Sequence, residues 1–177
     1  MDSNSKVNLR PFTNDDLAKV AVWSEDTELA SFLGLKLPGE EVDYYQRCQM
    51  LLCKRNSRLY ALETVNHEFI GEAELNQITW RRKEAELHIC IGDRNYWDQG
   101  YGTEAVLALL EIAFHELGLN WIYLRVYRHN QRAIRCYEKC GFHKEAILKN
   151  RFQLGKAYDI ILMKVNVAEF SQMQTVS

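Results

Sequence analysis

Apolar positions fall into stretches of period two and stretches of period three to four, and these set the expected elements. Val7-Asn8-Leu9-Arg10-Pro11-Phe12 alternates as a first strand. Thr13-Asn14-Asp15-Asp16 then resembles a capping box and leads into a helix over Leu17 to Trp23. A short second helix is expected from Thr27 to Phe32, stopping at Gly34, followed by a turn at Pro38-Gly39. Val42, Tyr45, Met50, Leu51 and Leu52 line one side of a further helix that runs to about Lys54. Arg58 to Thr64 is a strand, and Val65-Asn66-His67-Glu68 turns it back. Phe69 to Ile78 and Glu84 to Ile91 form a hairpin joined by Thr79-Trp80-Arg81-Arg82-Lys83.

The second half alternates helix and strand. Val106, Leu109, Leu110, Ala113 and Leu117 share one face of a helix from about Gly102 to Leu117, with Gly118 as its stop. Trp121 to Val126 is a strand, and Asn130 caps a helix carrying Ala133, Ile134 and Tyr137 that ends at Gly141. Closing strands lie near Phe142 to Leu148 and Tyr158 to Val165, and residues after Asn166 read as a loose tail. These elements predict one α/β domain over residues 1–177, with its core from about 7 to 165. Its central sheet is mixed and mostly antiparallel, with helices flanking it.

Composition narrows the function classes. The 177 residues are 47% apolar and 26% charged, the profile of an ordinary soluble globular domain. With 22 basic against 24 acidic residues the net charge is −2, so bulk electrostatics do not favour nucleic acid. The longest uninterrupted apolar stretch, Ala105 to Leu110, is too short to span a bilayer, and Met1 to Lys6 lacks the pattern of a secretion leader. Five cysteines, Cys48, Cys53, Cys90, Cys136 and Cys140, are odd in number and have no paired CxxC spacing. Reduced thiols in a cytoplasmic protein are expected, and no metal site.

Chemistry concentrates in two segments. Gln99-Gly100-Tyr101-Gly102-Thr103 joins the strand ending at Ile91 to the following helix. Two glycines let the backbone turn tightly, and the helix N-terminus behind them suits a phosphate. The turn lacks the Gly-Lys-Ser/Thr of a Walker loop and the third glycine of the dinucleotide fingerprint. Further on, Asn130-Gln131-Arg132-Ala133-Ile134-Arg135-Cys136-Tyr137 runs to Gly141-Phe142. Each segment alone also fits a plain structural role, a strand-to-helix turn and a capped amphipathic helix.

Taken together and in this order, the two segments resemble the GNAT superfamily of N-acetyltransferases over about Val7 to Val165. The chain is similar to the branch that holds the spermidine and ribosomal-protein N-terminal acetyltransferases. In that family the pattern Gln/Arg-x-x-Gly-x-Gly/Ala binds the pyrophosphate of acetyl-coenzyme A. Here it reads Trp97-Asp98-Gln99-Gly100-Tyr101-Gly102, departing at its first position. The resemblance implies a splayed strand pair at the cofactor site, with Ile89, Cys90 and Ile91 meeting the pantetheine arm. It likewise implies that Gln99, Gly100, Tyr101, Gly102 and Thr103 hold phosphate, that Asn130 holds the arm or the strand ends, and that Tyr137 protonates the departing thiolate.

Glu84, Glu86, His88 and Cys90 share one face of their strand, and Glu72 and Glu74 share a face of its hairpin partner. A solvated sheet face explains them as well as a reactive site does. On the functional reading, acids beside the acetyl group accept the proton of an amine, with Glu86 the first choice and His88 the second. The acceptor is a primary amine, polyamine-like or a peptide N-terminus, and the resemblance leaves a homodimer open. The alternative is a catalytically weak acyl-coenzyme A-binding or sensing module.

Overall fold

The computed structural model describes residues 5–26, 28–29, 44–153 and 156–176. Its elements run β1 (Val7–Pro11), α1 (Leu17–Ser24), α2 (Tyr44–Leu52), β2 (Arg58–Thr64), β3 (Phe69–Thr79) and β4 (Glu84–Ile91). They continue with α3 (Tyr101–Glu111), β5 (Trp121–Tyr127), α4 (Gln131–Lys139), β6 (His143–Gln153), β7 (Lys156–Asn166) and α5 (Val167–Val176). Residues 28–29 aside, the helix expected from Thr27 to Phe32 and the turn at Pro38-Gly39 lie outside the described residues.

The strands form one seven-stranded sheet in the order β1-β2-β3-β4-β5-β7-β6. Every neighbouring pair is antiparallel except β4 and β5. Alternating side chains divide the core between the two sheet faces. Leu62, Ala73, Leu75, Ala85 and Leu87 join Val106, Leu109 and Leu110 of α3 and Ile134 of α4 on one face. Leu59, Ala61 and Cys90 join Leu17 and Val20 of α1 and Cys48 and Leu51 of α2 on the other. Burying both faces follows from that layering, and it sets the surroundings of every polar side chain the strands carry.

The tail expectation needs correction. Residues after Asn166 form α5, capped by Asn166, whose Oδ1 accepts from the Ala168 and Glu169 amides, each at 2.9 Å. Phe170 is fully buried and its ring lies 5.4 Å from that of Phe114. Phe170, flanked by the partly buried Val167 and Met173, anchors the helix together with its Asn cap. The helix expected from Gly102 to Leu117 is also not uniform: α3 passes into a π-helical turn over Ile112–Glu116.

Candidate active site

The β4–β5 ladder pairs Glu84, Ala85 and Glu86 with Trp121, Ile122 and Tyr123, and it stops there. Beyond it β4 stays bonded to β3, while β5 stays bonded to β7. The two strands therefore splay after Glu86, and residues 87–91 turn one backbone edge toward the gap. A cleft of about 780 Å³ opens at the splay. Ile89, Cys90, Ile91, Gly100, Gly102, Thr103, Asn130 and Tyr137 all line it, as do Glu86 and His88. Gln99 and Tyr101 stand on the same turn without lining the cleft. The Ile91 carbonyl accepts from the Trp97 indole at 2.7 Å, which ties the phosphate-type turn to the end of β4.

Local backbone geometry explains the glycines. Gly100 caps α3 at φ +89, and Asp98 two residues earlier takes φ +58. Nothing lies within 4 Å of where a Gly100 Cβ would stand, so the space in front of the helix N-terminus is open. The first amides of α3 have no partner inside the helix and face an anion favourably. A Cβ on Gly102 would sit 3.7 Å from the Cys136 sulfur, an ordinary contact. The Thr103 hydroxyl lies 3.5 Å from that sulfur, which fastens the turn to α4.

Tyr137 is 7% exposed and packs edge-on against Phe142 at 5.8 Å. Burial pushes its phenol well above the usual tyrosine range, and the neighbouring thiols and Glu72 push the same way, so it is protonated at neutral pH. Asn130 caps α4, its Oδ1 accepting from the Ala133 amide at 3.2 Å. Cys136 shifts the other way: a hydrogen bond from Cys140, then one from Thr103, outweigh burial and draw its thiol down.

The acids are arranged differently from a solvated face. Glu72 and Glu74 are fully buried, because their side of β3 lies beneath α2. Arg47 of α2 bridges them, with Nη1 3.5 Å from Glu72 and Nη2 bonded to Glu74. Burial pushes the Glu74 carboxyl up, while Arg47 opposes the shift. The two carboxylates and His88 lie close enough to hold a metal ion, yet Arg47 already supplies the positive charge they face. His88 places Nδ1 3.4 Å from Glu72. Glu86 accepts two bonds from Arg125, each at 2.7 Å, and a third from Gln77 at 2.8 Å. Each acid of the two strands thus has a basic neighbour, since Glu84 pairs with Arg82 at 3.4 Å.

Several lining residues escaped sequence reasoning. Arg47, Arg125, Arg132, Arg135 and Lys139 all face the cleft. The spacing of Arg132, Arg135 and Lys139 on one predicted helix was the available signal. No local pattern pointed to Arg47 or Arg125, which meet their partners only through packing and strand order. Arg132 stacks on the Trp97 ring at 3.8 Å and lies 3.9 Å from Asp98. A guanidinium therefore sits at the turn even though the pattern's first position holds an indole.

The acetyltransferase (GNAT) domain family model matches residues 6–143. Spermidine N(1)-acetyltransferase of Vibrio cholerae is 27% identical over 156 residues, covering 88% of this chain and 89% of that protein. Aminoglycoside N(6')-acetyltransferase type 1 of Klebsiella pneumoniae is 27% identical over 159 residues, covering 81% and 77%. The crystal structure of spermidine N-acetyltransferase from Vibrio cholerae in complex with CoA and spermine superposes with a TM-score of 0.83 at 24% identity, covering 95% of this chain and 99% of that one. The matched residues carry the splayed strands, the glycine turn and the whole of α4 alike, and the chain belongs to the GNAT acetyltransferases, whose co-substrate is acetyl-coenzyme A.

Proposed function

We propose that the chain transfers the acetyl group of acetyl-coenzyme A directly to a primary amine, either of a polyamine-like small molecule or of a peptide N-terminus. One observation carries this reading: the strand splay, the open turn at Gly100 and the protonated Tyr137 face one cleft. The splayed edge of residues 89–91 would take the pantetheine arm, and the amides of residues 99–103 the pyrophosphate. The 27% identity to a spermidine acetyltransferase supports the amine class.

A primary amine, with an ordinary pKa of about 8 for a peptide N-terminus and about 10 for an alkylamine, is mostly protonated at neutral pH and must lose a proton before it attacks the thioester. Glu86 lines the cleft, but its oxygens already accept from Arg125 and Gln77. His88 is the better base: it faces the cleft, and the buried Glu72 lies 3.4 Å from its Nδ1 and orients the ring. Attack then places negative charge on the thioester oxygen, within reach of amides on the splayed edge. Collapse of the intermediate expels the thiolate, which Tyr137 protonates.

The test is release of free thiol from acetyl-coenzyme A with spermidine, spermine, basic peptides, aminoglycosides and amino acids offered in turn. Release that requires one of the amines supports the reading. Tight binding of acetyl-coenzyme A with no release above the hydrolytic background for any amine overturns it in favour of a sensing module.

A further inference from the structure

The cleft holds a nucleophile that direct acetyl transfer does not use. Cys136 of α4 is half-buried and lines the cleft beside the glycine turn. Its sulfur lies 3.7 Å from where a Gly102 Cβ would stand and 3.5 Å from the Thr103 hydroxyl. Cys140, one helical turn further on, is fully buried, and its thiol lies 3.6 Å from the Thr103 carbonyl. A hydrogen bond from Cys140, then one from Thr103 and the charges of Lys139 and Arg132, draw the Cys136 thiol down against its burial. Cys140 is pushed the other way and keeps its proton. Partial exposure, two donors and neighbouring cations are the surroundings of a reactive thiol. Cys48 shows the inert case, fully buried and pushed up by that burial.

We propose that Cys136 is a reversible modification site, taking a mixed disulfide from an anionic low-molecular-weight disulfide, and that the adduct closes the cofactor cleft. The closure rests on the acetyl-coenzyme A reading above; the modification itself does not. Thr103 and Cys140 occupy the protein side of the sulfur, so an adduct extends into the cleft, in front of the first turn of α3. Arg132, Arg135 and Lys139 line the same wall and favour an anionic reagent. The Cys136 thiolate attacks one sulfur of the disulfide, so that a new S–S bond forms and the old one breaks. The other half leaves as a thiolate and takes up a proton. The protein thiol is oxidised, that half of the reagent is reduced, and excess free thiol runs the exchange backwards.

Glutathione disulfide is the probe, with peptide mass mapping to locate the adduct and calorimetric titration to measure coenzyme A binding. In the parent protein the adduct should form on Cys136, and coenzyme A added beforehand should slow it. Coenzyme A affinity should then fall about ten-fold or more, until dithiothreitol restores it. Cys53→Ser removes an exposed thiol and should respond as the parent does. Cys136→Ser keeps a hydroxyl within reach of Thr103 and should hold its coenzyme A affinity after the same treatment; Cys136→Ala repeats the measurement without the hydroxyl. An adduct confined to Cys53 overturns the proposal, and so does one on Cys136 that leaves coenzyme A affinity unchanged. Equal loss of affinity in the parent and both Cys136 variants overturns it as well. An untreated parent that binds no coenzyme A overturns the cofactor reading instead, and mapping still decides whether Cys136 takes the adduct.

Discussion

Arg47 holds two fully buried carboxylates from a different element, so its removal is the most severe single change the site geometry implies. Arg47→Met keeps the length and apolar stem of the side chain but leaves Glu72 and Glu74 beneath α2 without their cation. Breaking a buried ion pair from one side costs about 3–5 kcal/mol, because the remaining charge stays desolvated. For a chain of 177 residues, each kcal/mol moves Tm by about 2–4 °C, so the drop should be about 6–20 °C at pH 8. The loss must also depend on pH. Burial already pushes the Glu74 carboxyl up, and without Arg47 it rises further above the unfolded value of about 4.3. Between those two values the folded state binds the extra proton, so stability falls as pH rises through the window and the full penalty applies above it. Calorimetric melts of parent and variant at pH 5 and pH 8 measure this directly, with the gap expected to be smaller at pH 5. A Tm within 2 °C of the parent at both values, or an equal large drop at both, would refute the account of a buried, Arg47-compensated pair.

Tyr137→Phe should lower kcat by about ten- to a thousand-fold with little change in cofactor affinity; an unchanged kcat would return Tyr137 to a packing role. His88→Gln should lower kcat by about ten-fold or more, while Glu86→Gln should stay within a few-fold of the parent; the reverse outcome would make Glu86 the base. Gly100→Val should abolish coenzyme A binding, because a β-branched residue at φ +89 strains the turn, whereas Gly102→Ala should bind within about two-fold of the parent. Phe170→Ala should cost about 3–5 kcal/mol in chemical denaturation; a cost below 1 kcal/mol would mean that α5 is not anchored by its aromatic.

Much of the architecture was legible in local pattern. The β2 strand, the hairpin of β3 and β4, and α4 with its Asn130 cap lie within a residue or so of where alternation, capping and glycine stops placed them. The Gly100 turn was legible for the same reason, since a positive φ at a helix start selects glycine within a few residues of chain. The tail expectation failed because α5 is held by only three apolar residues, Val167, Phe170 and Met173, and a cap, too short a period to stand out in a polar segment. The environment of the acids was open to two readings, since alternation states which residues share a face but not what covers it.

The sequence by itself determined the order of the described elements through β7, the open phosphate-type turn and the presence of Tyr137 one helix later. These depend on interactions within a few residues, where backbone sterics and side-chain period act directly. Tertiary structure alone decided the charges. Packing α2 across the sheet sealed Glu72 and Glu74 and delivered Arg47 to them from more than twenty residues away. Strand order brought Arg125 of β5 beside Glu86 of β4, so one candidate base was engaged while His88 kept its face to the cleft. Coulombic and desolvation energies depend on distance and burial through space, and neither is encoded by spacing along the chain.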